Sequence, residues 1–177
     1  MPEEIPNKFS ASDISFREMS EGDAVKAFQD DGYFGFEKRS MRYGPNLPKD
    51  SIWATAPANM FVAYWNDIPV GVCGLSTHKN VLLGAGIHTR KEYQGKGIFR
   101  ICVDKILSEK GSKTLYINVA NAKVAGAFRD KGFNDMNREE LPEDIQEELE
   151  GTKYVDQVQK WMMYASSEWQ RVLKRWN

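Results

Sequence analysis

Gln94-Gly95-Lys96-Gly97 stands between a glycine-bearing apolar run, Val81 to Ile87, and a stretch, Ile98 to Lys110, in which Phe99, Cys102, Val103, Ile106 and Leu107 recur at helical spacing. Strand, glycine turn and helix in that order present N–H groups without intrahelical acceptors to an anion, with phosphate the natural guest. Gly95 and Gly97 permit conformations that bring a ligand close to the backbone, and Lys96 and Arg100 add positive charge. The same pattern also describes a plain strand-to-helix turn, and both readings stay open on these residues alone. His88, at the end of the apolar run, is a candidate proton acceptor, and alternation points it to the face opposite Ile87 and Thr89. His78 and His88 have no ligand-spaced Cys or acidic cluster, so no metal site is expected. Cys73 and Cys102 form no CxxC pair and read as core thiols of a reducing compartment.

The elements that must position these groups alternate between strand and helix. Ile14 to Met19 alternates as a half-buried strand, and Ser20 to Asp23 supplies the capping oxygens of a helix through Ala24 and Phe28. Met60 to Trp65 and Pro69 to Leu75 read as a hairpin turned at Asn66-Asp67. After a turn over Thr77 to Asn80, Val81 to Ile87 is the third strand of that meander, its glycines marking the close approach of another backbone or a ligand. Thr114 to Val119 is the next strand, followed by a helix from Ala122 to Lys131 that Asn121 caps and Gly132 closes. Glu139 to Glu150, with seven acids and no base, reads as a short surface helix. Val155 to Ala165 reads as a late buried strand, and Trp169, Val172, Leu173 and Trp176 line one side of a final helix over 167–176. Between Gly32 and Pro57 only a short helix near Phe36 to Met41 suggests itself.

The whole chain, 1–177, is sized for one domain, with 41% hydrophobic and 28% charged residues. Twenty-four Lys and Arg against 25 Asp and Glu leave a net charge of −1, which disfavours nucleic acid or an anionic membrane as partner. The acidic start lacks a secretory pattern and no uncharged stretch reaches a membrane span, so a cytoplasmic location is expected.

Two motifs together resemble the GNAT superfamily of N-acetyltransferases. The family pattern (Q/R)-x-x-G-x-(G/A) is met by Gln94-Gly95-Lys96-Gly97-Ile98-Phe99 at its first four positions, with Phe99 departing at the last. Asn121, Phe128, Gly132 and Phe133 are similar to the family's second signature, in the right order along the chain. The resemblance implies a mixed, mostly antiparallel sheet of six to seven strands flanked by helices, here with an added C-terminal helix. It also implies acetyl coenzyme A as co-substrate, its pyrophosphate on the amides of Gln94, Gly95, Lys96, Gly97, Ile98, Phe99 and Arg100. Its pantetheine arm would pair with Ile87 and Thr89, where that strand splays from the next. Asn121, also readable as a helix cap, would hold the arm, and Phe128 would line it.

The implied reaction is direct attack of a neutral amine on the thioester, with strand N–H groups stabilising the oxyanion. A protonated amine must first lose a proton. Phe128 occupies the position of the family's Tyr acid, and the position of its Glu base falls near Leu83, so neither usual side chain is present. His88 is a candidate substitute; Tyr116, Asn118 and Tyr164 read as sheet residues and Glu92 as solvated. The leading expectation is an N-acetyltransferase acting on a small-molecule or protein amine, as a monomer or homodimer. The alternative is a non-catalytic module that binds acyl coenzyme A or serves regulation. The acidic Glu139–Glu150 stretch reads as a solvated face or as an attractor for a cationic acceptor, and Tyr33-Phe34-Gly35-Phe36 and Met41-Arg42-Tyr43, with Trp53, read as core or, as the resemblance implies, as acceptor wall.

Overall fold

Asn66 and Asp67 adopt φ of 48° and 62° between Trp65 and Ile68, the left-handed pair that a two-residue hairpin requires. They join β2 (Asn59–Trp65) to β3 (Ile68–His78), two adjacent antiparallel strands of the sheet. The computed structural model describes residues 4–33, 59–78, 81–119, 122–150 and 160–164. With β1 (Ser15–Met19), β4 (Val81–Thr89), β5 (Leu115–Val119), β6 (Asn134–Met136) and β7 (Lys160–Tyr164) they form a seven-stranded sheet in the order β1-β2-β3-β4-β5-β7-β6. Every neighbouring pair is antiparallel except β4 and β5.

Among the described residues, four α-helices flank the sheet. In α1 (Glu21–Phe28) the Ser20 hydroxyl accepts the Asp23 N–H at 3.2 Å, capping the first turn. α2 (Ile98–Glu109) connects β4 to β5, as a parallel pair demands. α3 (Ala122–Arg129) ends where Gly132 turns left-handed, φ 89°, and the Phe133 N–H reaches back to the Phe128 carbonyl at 3.1 Å. α4 (Glu143–Glu150) starts after Pro142.

Alternation along the strands sorts the core into two layers. Phe61, Ala63, Cys73 and Leu82 pack with Ile98, Cys102, Val103 and Ile106 of α2 and with Ala125 and Phe128 of α3. Their neighbours Val62 and Val72 pack with Ala24 and Phe28 of α1, while Val81 and Leu83 pack with Leu141 and Ile145. One face therefore carries α2 and α3 and the other α1 and α4.

Three expectations need correction. The acidic stretch is not one helix: a 3-10 turn over Arg138–Glu140 precedes α4, because Pro142 disfavours a helical conformation at Leu141. Nor is it only a surface element, since Leu141 and Ile145 are buried against the sheet. β6 was not legible at all, being three residues, Asn-Asp-Met, held by pairing with β7. The turn after β3 is shorter than Thr77 to Asn80, because Thr77 and His78 still pair with Leu82 and Val81. The short helix near Phe36 to Met41, Asn121 and the final helix over 167–176 lie outside the described residues.

Candidate functional site

Among the described residues, β4 and β5 pair only at Leu82–Leu115, Leu83–Tyr116 and Gly84–Ile117. β4 runs on to Thr89 and β5 to Val119, so the two parallel strands part toward their carboxyl ends and leave a cleft, the usual location of a ligand in an open sheet. Gly84 lets Ile106 and Ile117 close in beneath the fork; a Cβ there would lie 3.3 Å from Ile117.

A bulge changes the phase of β4 at the level of the cleft. Val72 pairs with His88 and Gly74 with Ala85, two steps on β3 against three on β4, with Gly86 left-handed at φ 60°. Ile87 consequently packs in the α2 layer, whereas Gly86 and His88 face the α1 layer. The Tyr33 hydroxyl sits directly over Gly86, 2.6 Å from where a Cβ would be. The sequence expectation that His88 and Ile87 face opposite ways holds, although the bulge makes the alternation out of step with the first half of the strand.

Beyond β4 the chain makes a 3-10 turn, Lys91–Tyr93, and then the glycine turn. Gly95 and Gly97 have φ of 77° and 96°, both left-handed, and Gly97 caps α2 without a side-chain hydrogen bond. The first amides of this 12-residue helix therefore receive no side-chain cap from Gly97. Gln94 donates through Nε2 to the Thr89 carbonyl at 3.1 Å, folding the turn back on the strand end. Lys96 and Arg100, the two positive charges of the turn, each have a partner. Lys96 Nζ donates to the Pro6 carbonyl at 2.9 Å, and Arg100 pairs with Asp130 at 2.5 Å.

The other sequence candidates fall on either side of the fork. Thr89 is buried, and its Oγ1 has no hydrogen-bond partner among the described residues. Ile98 is core, Phe99 is half-buried, and Phe128 is buried between Phe99 and Phe133. Leu83 is buried with Val81, Leu141 and Ile145. Tyr116 packs beside that cluster, and burial pushes its phenol pKa up. Glu92 is exposed. Cys73 and Cys102 are buried, reduced thiols, as read from the sequence.

Two features escaped sequence reasoning. Asp31 bonds His88 across 57 residues, and no local pattern announces it. The segment before β1 braces the glycine turn: the Phe9 N–H donates to the Lys96 carbonyl at 2.9 Å, and its ring packs on Trp65 and Tyr93. Phe9 is a lone aromatic in a polar stretch, which was the only signal of it.

The family model for the Acetyltransferase (GNAT) family matches residues 23–133. No curated protein matches the chain by sequence. Among solved structures, N-acetylglutamate synthase from Neisseria gonorrhoeae, complexed with coenzyme A and N-acetyl-glutamate, superposes with a TM-score of 0.60 at 15% identity. The match covers 85% of this chain and only 34% of that longer one. The ribosomal-protein-S18-alanine N-acetyltransferase from Escherichia coli gives 0.53 at 16% identity, over 85% of this chain and 90% of that one. A probable acetyltransferase from Staphylococcus epidermidis gives 0.55 at 16%, over 87% and 99%. At such identities the structures speak for the fold, and the family match spans well over half of the chain, so that fold, forked sheet and glycine turn together place the protein in the GNAT acetyltransferase family.

Proposed function

We propose that the protein is an acetyl coenzyme A-dependent N-acetyltransferase acting on a primary amine of a small molecule or a protein. The observation that carries this reading is the fork between β4 and β5, with Gln94 folding the turn of left-handed Gly95 and Gly97 back onto the end of β4. The donor set fits acyl coenzyme A. α2 amides without a side-chain cap suit a pyrophosphate, and the buried Thr89 hydroxyl at the strand end, which has no partner among the described residues, suits a polar arm.

Bound acyl coenzyme A would supply the activated acyl carbon and a thiolate leaving group. This chain's residues would do the rest. Gly95 to Arg100 would hold the phosphates through backbone N–H groups, since the Lys96 and Arg100 side chains are spent on Pro6 and Asp130. Ile87 and Thr89 lie on the stretch of β4 that β5 has left, so their backbone is available to an added strand-like arm. The bulge leaves Gly86 and Ile87 without register partners on β3, so a backbone N–H there would be available to a developing negative charge. Two buried reduced thiols favour a reducing, cytoplasmic compartment.

A second reading, a non-catalytic acyl coenzyme A-binding module, draws on Phe128 and Leu83, which are packed core residues where the resemblance places an acid and a base. Calorimetric titration with acetyl coenzyme A, followed by thiol release over an amine panel, separates the two. The enzyme reading expects binding and turnover, the module binding alone, and no binding defeats both. Gly97→Trp, which forces a large side chain onto a left-handed residue facing the Phe9 carbonyl, is expected to abolish binding.

A further inference from the structure

The face of the sheet opposite the glycine turn carries a second polar cluster at the level of the fork. His88 Nε2 and Asp31 Oδ2 stand 2.6 Å apart, with imidazole and carboxylate 24% and 14% exposed. The carboxylate is fixed from its other side as well, because both oxygens accept the Lys91 N–H at 3.1 Å. The ring is bounded by Phe28 at 5.9 Å and Tyr33 at 5.4 Å, so its orientation is set by packing and by Asp31. An ionised carboxylate only accepts. The neutral imidazole bonded to it must therefore carry its proton on Nε2 and keep its lone pair on Nδ1.

The pair sits just beyond the fork along β4. Gly86, two residues earlier, is the bulge, and β5 has already parted from β4. A donor held on the α2 side and an amine arriving on the α1 side would meet across that opening. On the α1 side His88 and Asp31 are the described residues that join a proton acceptor to a fixed carboxylate.

We propose that His88 and Asp31 are the proton-accepting pair of the transfer: His88 removes a proton from the acceptor ammonium at Nδ1, and Asp31 is the positioning residue that sets its tautomer. This inference rests on the acetyltransferase reading above. One N–H bond of the ammonium breaks and one N–H bond forms at Nδ1. The electron pair stays on the amine nitrogen, and the imidazolium, paired with Asp31, later yields its proton to water.

Long-range 1H–15N spectra of the full chain read the tautomer directly, with His78→Gln assigning the remaining imidazole. The Nε2–H form is expected for His88. It should persist in Asp31→Glu and give way to a mixture in Asp31→Asn. His88→Gln is expected to lower kcat by about 10²-fold or more while leaving acetyl coenzyme A affinity in calorimetry unchanged. An Nδ1–H form, or a spectrum that Asp31→Asn does not move, overturns the positioning role; undiminished kcat in His88→Gln overturns the base. A wild-type chain that binds no acetyl coenzyme A overturns the acetyltransferase reading itself, whereas binding with either of the other failures strikes the pair alone.

Discussion

The rings of Phe99 and Phe128 meet edge to face, their centroids 5.3 Å apart and their planes inclined by 75°. Phe128 also packs on Phe133 at 5.0 Å and is 2% exposed, so three rings tie the start of α2 to the end of α3. Phe99 is where the turn motif departs from the family pattern, and Phe128 stands where the resemblance expects a phenol. The two departures touch, and what they build is packing. Edge-to-face contacts add about 0.5–1.5 kcal/mol beyond the area they bury.

Phe128→Ala empties the middle of this triplet and should lower stability by about 3–5 kcal/mol in urea unfolding. Phe128→Tyr restores the family's phenol in outline, but it puts a hydroxyl among rings and should cost about 1–3 kcal/mol if unpaired. Its kcat is expected not to rise. A rise in kcat on thiol-release assay would hand that position back to catalysis.

Local chemistry made much of the fold legible. Asn66-Asp67, the Ser20 cap, the periodicity of Ile98 to Glu109 and the glycine at 132 each specify their element within a few residues, and the structure has all four. The glycine turn was legible for the same reason. What was not legible depends on distant partners. Asn134 to Met136 becomes a strand only because β7 is there to pair with it. Gly86 was visible as a glycine, but its left-handed φ and the phase change at His88 arise from the register with β3. Asp31 reads as one acid after a helix until β4 brings His88 to it.

The brace on the glycine turn gives a second prediction. Phe9 is 4% exposed, between Trp65 and Tyr93, and holds the Lys96 carbonyl through its own N–H. Phe9→Ala should cost about 3–5 kcal/mol of stability. Phe9→Leu keeps most of the burial and should cost less than about 1.5 kcal/mol, so it isolates the effect on the turn. Acetyl coenzyme A affinity in calorimetry is expected to fall in Phe9→Leu as well; an affinity at the wild-type value would mean the turn holds its shape unaided.

Asp31 predicts an acid-side loss of stability. Burial pushes its carboxyl up, but the Lys91 N–H, the hydrogen bond and charge of His88, and the charge of Arg90 outweigh burial and hold it below its ordinary 3.8. A carboxyl depressed in the folded state contributes stability that is fully present above the unfolded value. That stability is lost as pH falls through 3.8 and then through the folded value. Urea midpoints from pH 7 to pH 3 should therefore fall less steeply at the acid end in Asp31→Asn than in the wild type. Parallel curves would show that the pair adds nothing to folding.

Thr89 separates a residue kept for folding from one kept for a ligand. It is 8% exposed, with a hydroxyl that has no partner among the described residues, and it sits on the part of β4 that β5 has left. Thr89→Val keeps the branched shape and removes a buried hydroxyl that has no partner among the described residues. Stability in urea should hold or rise by up to about 1 kcal/mol. A hydroxyl that waits for a polar arm gives the opposite sign in binding. Losing one hydrogen bond costs about 0.5–1.5 kcal/mol, which is about a two- to tenfold weaker affinity for acetyl coenzyme A. The two measurements are thus expected to move apart in one variant, and a fall in stability with affinity unchanged would assign the hydroxyl to the folded sheet instead.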